Sequence, residues 1–263
     1  MAARSTKLAA RSTKLAARST KLAATSLFSV LGCFVSATVI YTVVTDGLPF
    51  RKQLLTPWMA ATLIDFYINV FAIAAWVLYK EKNWITDALM VVLLVCFGSI
   101  TTCAYVTWQL LNLSSQGAAQ DPIYHVLLRQ DHNDVKEPKA TCCSVSVARI
   151  IFSALGCLML GTLIYTILTD GSPFRKELLT PWMTATLIDF YTNVIAISVW
   201  VAYKESSWTS AVIWILLLIC TGSLGTCIYI VSQLFQLSSQ DPVHLILINS
   251  RNRAENRYER APV

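Results

Sequence analysis

Residues 56–67 read TPWMAATLIDFY, and residues 180–191 read TPWMTATLIDFY. Each lies inside a long apolar run, Leu54–Tyr79 or Leu178–Tyr203, and each carries a carboxylate, Asp65 or Asp189. A run of that length crosses the hydrocarbon core of a bilayer as helix, which takes about 20 residues. An aspartate at the centre of such a span costs about 2.5–3.5 kcal/mol on insertion-based scales. The surrounding apolar residues offset that cost, so insertion is secure, and the carboxylate needs its own explanation.

The rest of the chain has the same character. Of its 263 residues, 55% are hydrophobic and 14% charged, where soluble domains average about 25% charged. Four further stretches of 18 or more residues complete a set of six: Leu27–Val44, Thr86–Leu113, Ile150–Leu168 and Ser210–Leu237. The reading is an all-α polytopic membrane protein with six transmembrane helices.

Offset by 124 residues, positions 32–116 match 156–240 at about 50 of 85 places, which marks an internal duplication. The expected organisation is a basic heptapeptide-repeat tail at 1–24, disordered or targeting, and a first three-helix repeat at 25–129. A polar linker at 130–148, a second repeat at 149–249 and a basic C-terminal tail at 250–263 follow. Three spans per unit would make the second unit enter from the opposite side, the inverted-repeat plan of many transporters. On that plan, 14 basic residues fall on the side of the termini and 7 on the other, so both termini are expected in the cytosol. The plasma membrane or an endomembrane suits this. A plastid or mitochondrial membrane is the alternative, because residues 2–24 (AARSTKL three times, then AA) are Arg- and Ser-rich and lack acids.

Residues 45–67 differ from their counterparts at three positions, whereas most of 85–108 differ. Within the second span, Trp58, Thr62, Asp65, Asn69, Ala72, Trp76 and Tyr79 are spaced 4, 3, 4, 3, 4, 3 and form one helical stripe. All seven recur as Trp182, Thr186, Asp189, Asn193, Ala196, Trp200 and Tyr203. The differing positions 60, 68, 71, 74, 75 and 78 define the other side, expected to meet lipid. If inversion brings the stripes together, Asp65 and Asp189 share a proton or bind a cation. Asn69, Asn193, Thr62 and Thr186 would then supply neutral ligands, with Trp58 and Trp182 as walls. The plainer reading of the same residues is a hydrogen-bonded cluster that fixes helix packing.

The third spans, CFGSITTCAYVTWQ and CTGSLGTCIYIVSQ, carry small-xxx-small pairs at Gly98/Thr102 and Gly222/Thr226, which let helices approach closely. Thr102, Tyr105 and Gln109 add a polar line, repeated as Thr226, Tyr229 and Gln233. Arg51, Lys52, Arg175 and Lys176, in the TDG-PFRK loops, are placed among lipid headgroups. Six of the eight cysteines are matched intramembrane copies and read as packing residues. Cys142-Cys143 suits palmitoylation and Asn112-Leu113-Ser114 glycosylation, two signals that demand opposite sides. No metalloprotease, nucleophile-elbow, C-x-x-C, dinucleotide or P-loop pattern is present, and the three histidines lie in loops. No enzyme, cofactor, metal or nucleic-acid role is therefore expected. The expected partners are the bilayer, anionic headgroups against the basic tails, and a second copy of the chain.

The duplicated TDG-PFRK-LLTPWM-ATLIDFY-NV pattern resembles an uncharacterised plant family of integral membrane proteins, catalogued as a domain of unknown function. The resemblance covers roughly residues 27–247 and excludes the AARSTKL repeats. It implies the duplicated membrane fold and a plant source, and no activity. Function is thus read from the residues alone: a small transporter handling protons or cations through its paired aspartates, or a structural or scaffolding membrane protein.

Overall fold

The computed structural model describes residues 2–81, 83–113, 121–128, 143–238 and 241–248. The C-terminal tail, most of the predicted linker, His132, Cys142 and Ser114 lie outside them. All regular structure among the described residues is helical. The first unit comprises α1 (Ala2–Asp46), α2 (Pro57–Lys80), α3 (Trp84–Phe97), α4 (Ser99–Leu111) and the short α5 (Pro122–Leu127). The second comprises α6 (Cys143–Asp170), α7 (Pro181–Lys204), α8 (Trp208–Thr221), α9 (Ser223–Phe235) and a 3-10 turn at Val243–Leu247. Residues 2–24 are helical and continuous with the first apolar run, and α6 begins inside the predicted linker.

Local chemistry sets these boundaries. Thr56 and Thr180 cap α2 and α7, each hydroxyl accepting from the backbone N–H three residues on at 3.2 Å, with proline at the first helical position. Asp121 does the same for α5, accepting from Ile123 and Tyr124 ahead of Pro122.

Among the described residues, four segments are long and apolar enough to cross a membrane: Lys14–Asp46, Pro57–Lys80, Val145–Asp170 and Pro181–Lys204. The predicted third and sixth spans are broken. Gly98 and Gly222 sit at φ +52° and +61° with ψ near −125° and −131°, and each divides its span into two helices of 13–14 residues. At 1.5 Å per residue each half is about 20 Å long, short of the roughly 30 Å hydrocarbon core.

The halves double back. Glu81 precedes α3, yet its carboxylate accepts from Tyr105 of α4 at 2.6 Å and from Gln109 at 3.4 Å. In the second unit Glu205 accepts from Tyr229 at 2.9 Å and from Gln233 at 3.3 Å. Tyr67, midway along α2, donates to the Val95 carbonyl near the end of α3. Each pair, α3–α4 and α8–α9, is therefore a hairpin that enters from one end of the bundle and returns to it, with its tip at mid-depth.

With two long helices and one returning hairpin per unit, the repeats run parallel. The Trp58 indole N–H donates to the Gly171 carbonyl at 3.2 Å, and Trp182 to the Gly47 carbonyl at 3.1 Å. These bonds put the α1–α2 and α6–α7 loops at the same end of the bundle, the loop end. The terminal end gathers Lys80 with the α5 carbonyls, Lys21 with the Leu113 carbonyl, and Arg149 with the carbonyls of Leu234 and Leu237. The six-span inverted plan is thus corrected. It counted each 28-residue third run as one crossing, and a reversal at one glycine changes odd to even.

α2 and α7 pack at the centre, where Phe66, Val70 and Val77 meet Phe190, Val194 and Val201. None of the seven stripe residues on α2 is exposed. Of the differing positions, 71, 75 and 78 are exposed, but Ile68 and Ala74 are buried because other helices also pack on that side, Ile68 against Met159 of α6.

Candidate functional site

The two aspartates do not share one ligand set. Asp65 reaches across the repeat boundary and accepts from the Ser223 backbone N–H at 2.6 Å, while Asp189 accepts from the Ser99 N–H at 2.8 Å. Ser99 and Ser223 open α4 and α9, so each carboxylate caps the hairpin half-helix of the other repeat. A half-helix exposes unpaired N–H groups and the positive end of its dipole at mid-depth. A carboxylate satisfies both needs through a charge-assisted bond.

The glycine tip allows the carboxylate this close. A Cβ built on Gly98 would stand 2.5 Å from Asp189 Oδ2 and 2.5 Å from Phe66 Cζ. On Gly222 it would clash with Asp65 Oδ2 and stand 2.8 Å from Phe190 Cζ. One phenylalanine from its own repeat and one aspartate from the other therefore grip each tip.

The other predicted site residues are placed differently. Thr62 and Thr186 donate to the carbonyls four residues earlier on their own helices, both at 2.9 Å. Thr62 still lines a small cavity of about 130 Å³ with Asp65, Tyr191, Thr221 and Gly222. Asn193 accepts from the Thr102 hydroxyl of α4 at 3.0 Å, so it also bridges the repeats. Asn69 is fully buried with neither amide atom bonded among the described residues. Trp58 and Trp182 lie among Met59, Ala61 and Met183, where they fasten the loops instead of walling the aspartates. Arg51 and Arg175 lie at the loop end, each paired at 2.7 Å with the aspartate that ends the preceding helix (Asp46 of α1, Asp170 of α6). Lys52 and Lys176 begin the 3-10 turns that follow. Among the described residues no cluster of three His, Cys, Asp or Glu side chains could hold a metal ion.

The family model for a protein of unknown function, DUF1475, matches the chain twice, over residues 6–135 and 131–254. The chain belongs to this family. Each DUF1475 match spans one unit of two long helices and a hairpin, so the repeat seen in the sequence is the family's own module. No curated protein and no solved structure matches the chain.

Two features of this DUF1475 chain lay beyond the sequence reading. Glu81 and Glu205 anchor the polar lines of α4 and α9, and Ser210 adds a hydrogen bond to Glu205 at 2.7 Å. Lys80 and Lys204 turn onto main-chain carbonyls of the segments that follow the hairpins, His125, Val126 and Leu128 for the first and Ile246 for the second. The signal was present as the twin KE at 80–81 and 204–205. Flanking charge at a helix end was the simpler reading.

Proposed function

We propose that the chain is an integral membrane carrier in which Asp65 and Asp189 are proton-responsive latches on the two hairpins. The observation that carries this is the crossed capping. Each carboxylate holds the half-helix tip of the other repeat near mid-depth, where discontinuous helices build transporter sites and where an ionisable residue marks function by default. Protonation removes the negative charge that faces the half-helix dipole. The tip then loses its strongest bond, and the hairpin can move against the α2–α7 centre. A cation fits less well than a proton, because each carboxylate is engaged at a different tip.

The surroundings support a membrane setting. Phe50 and Phe174 stand 89% and 93% exposed at the loop end, and Trp84 and Trp208 are 76% and 84% exposed at the terminal end. Aromatics at both ends suit the two interfaces of a bilayer. All but Arg51, Lys52, Arg175 and Lys176 of the 21 basic residues belong to segments that start or finish at the terminal end. That asymmetry favours cytosolic termini more strongly than the inverted plan did, and it brings the basic tails to the side where anionic headgroups gather.

Proteoliposomes loaded with a pH-sensitive dye test the reading under an imposed pH gradient. Asn at position 65 or 189 keeps an oxygen for the serine N–H but cannot exchange a proton. The Asp65→Asn, Asp189→Asn double variant should fold and lose proton flux. Equal flux in wild type and variant would remove the proton role. The second reading, a structural membrane protein, draws on the same bonds, because a carboxylate spent on a backbone amide is a cap. It predicts no flux in either protein.

A further inference from the structure

Between the repeats, in the half of the bundle nearer the terminal end, lies a cavity of about 390 Å³. It is built in matched pairs from both units, among them Phe28 with Phe152, Trp76 with Trp200 and Thr102 with Thr226. Pockets for small molecules span roughly 300–1,000 Å³, so this one takes a single small molecule. Among the described residues no Lys, Arg, Asp or Glu lines it, and its one imidazole, His244, is stacked on Tyr79. An ionised guest would find no permanent counter-charge there and would lose its hydration, a large cost in an apolar interior.

Unspent hydrogen-bonding capacity identifies the rest of the guest. Trp76 donates its indole N–H to the Leu127 carbonyl at 3.1 Å. Its repeat mate Trp200 lines the same cavity with a buried indole N–H that has no acceptor among the described residues. One turn along α2 and α7 from the cavity-lining Ala72 and Ala196, the amide N–H groups of the fully buried Asn69 and Asn193 are also unpaired. Asn193 is tied to the cavity through its bond with Thr102. Buried donors without acceptors are uncommon and call for a partner. Three unpaired donor groups stand against one unpaired acceptor, Asn69 Oδ1, so the surplus is of donors and the missing group accepts.

We propose that this cavity binds one uncharged molecule with an apolar body and a hydrogen-bond-accepting end such as a hydroxyl, ether or carbonyl oxygen. The proposal names a solute class for the carrier described above and leans on that reading only for transport. Binding is read without flux, so either idea can fail alone.

The probe is a diazirine-bearing medium-chain alcohol, photolysed with the purified full-length chain in nanodiscs and mapped by peptide mass spectrometry. Saturable labelling should appear on peptides that line the cavity. Ala72→Leu with Ala196→Leu fills the space and should abolish the saturable component. Trp200→Phe keeps an aromatic ring but removes the N–H together with the fused five-membered ring, so it should weaken apparent affinity by at least about three- to tenfold, the worth of one hydrogen bond. Protection by a monoacylglycerol would assign the guest to the bilayer, and protection by benzyl alcohol would assign it to the aqueous phase. Either result supports the site. Labelling that does not saturate, that persists in the filled variant, or that neither competitor reduces would overturn it. Equal competition by the carboxylate of the same chain would overturn the uncharged class.

Discussion

Replacing Gly98 by alanine tests the hairpin tip most directly. Its backbone, at φ +52° and ψ −125°, lies where residues other than glycine pay about 1–3 kcal/mol. The new methyl would also stand 2.5 Å from Asp189 Oδ2 and from Phe66 Cζ. The carboxylate must then retreat from the Ser99 N–H, and a lost charged hydrogen bond costs about 1.5–3 kcal/mol. Together these give a destabilisation of about 2.5–6 kcal/mol for Gly98→Ala, with a similar figure for Gly222→Ala. Gly161 supplies the comparison. It lies within α6 with nothing within 4 Å of a built Cβ, so Gly161→Ala should be neutral or stabilising by up to about 1 kcal/mol. Equilibrium unfolding of the purified chain in mixed micelles reads the differences. In an Asp189→Ala background the cap is already gone, so Gly98→Ala should cost about 1.5–3 kcal/mol less than in wild type. If Gly98→Ala behaved like Gly161→Ala, or its cost were unchanged without Asp189, the account of the tip would be wrong.

Three further outcomes are expected. In a chain whose eight native cysteines are alanine, Leu48→Cys and Ser172→Cys should react with an impermeant maleimide from the same side of sealed vesicles. Reaction from opposite sides would restore the inverted plan. Trp58→Phe removes the bond to Gly171 and should lower stability in unfolding experiments by about 0.5–1.5 kcal/mol, and Trp182→Phe should match it. Tyr105→Phe takes a 2.6 Å bond from the Glu81 carboxylate and should cost about 1.5–3 kcal/mol by the same measurement. An effect no larger than that of Trp108→Phe, at a site 56% exposed, would refute the anchoring role.

Much of this architecture was written in the duplication. The apolar runs, the repeat offset and the inward stripe of α2 follow from composition and a 3.6-residue period, and the structure retains all three. The hairpins were hidden because glycine in an apolar run serves both close packing and reversal. Gly98 with Thr102 resembles a packing pair, and only the backbone dihedral tells the two uses apart. Run length held a clue, since Thr86–Leu113 as one straight helix would measure about 42 Å, well beyond the hydrocarbon core. The partner of each aspartate was illegible for another reason. It is a main-chain N–H 158 residues away from Asp65 and 90 away from Asp189, and backbone donors leave no mark on residue identity. Glu81 and Tyr105 were visible separately, 24 residues apart, but nothing local paired them.

The direction of the polar contacts explains why this module occurs twice in one chain. Asp65 serves the second hairpin and Asp189 the first. Trp58 holds the second loop and Trp182 the first. Tyr203 donates to Asp121 of the first unit at 2.8 Å, while Tyr79 stacks on His244 of the second with ring centroids 5.4 Å apart. A single unit would keep its internal Glu81–Tyr105 anchor but leave a carboxylate, an indole N–H and a helix N-terminus without partners. In an apolar interior each such loss costs about 1–3 kcal/mol, which favours pairing over isolation. Two fragments, residues 1–128 and 143–263, should therefore assemble when produced together and co-purify at one to one. Asp65→Ala in the first fragment with Asp189→Ala in the second should weaken that assembly, because both crossed caps lie at the junction. Stable, separate fragments would mean that the exchange of contacts is incidental to the fold.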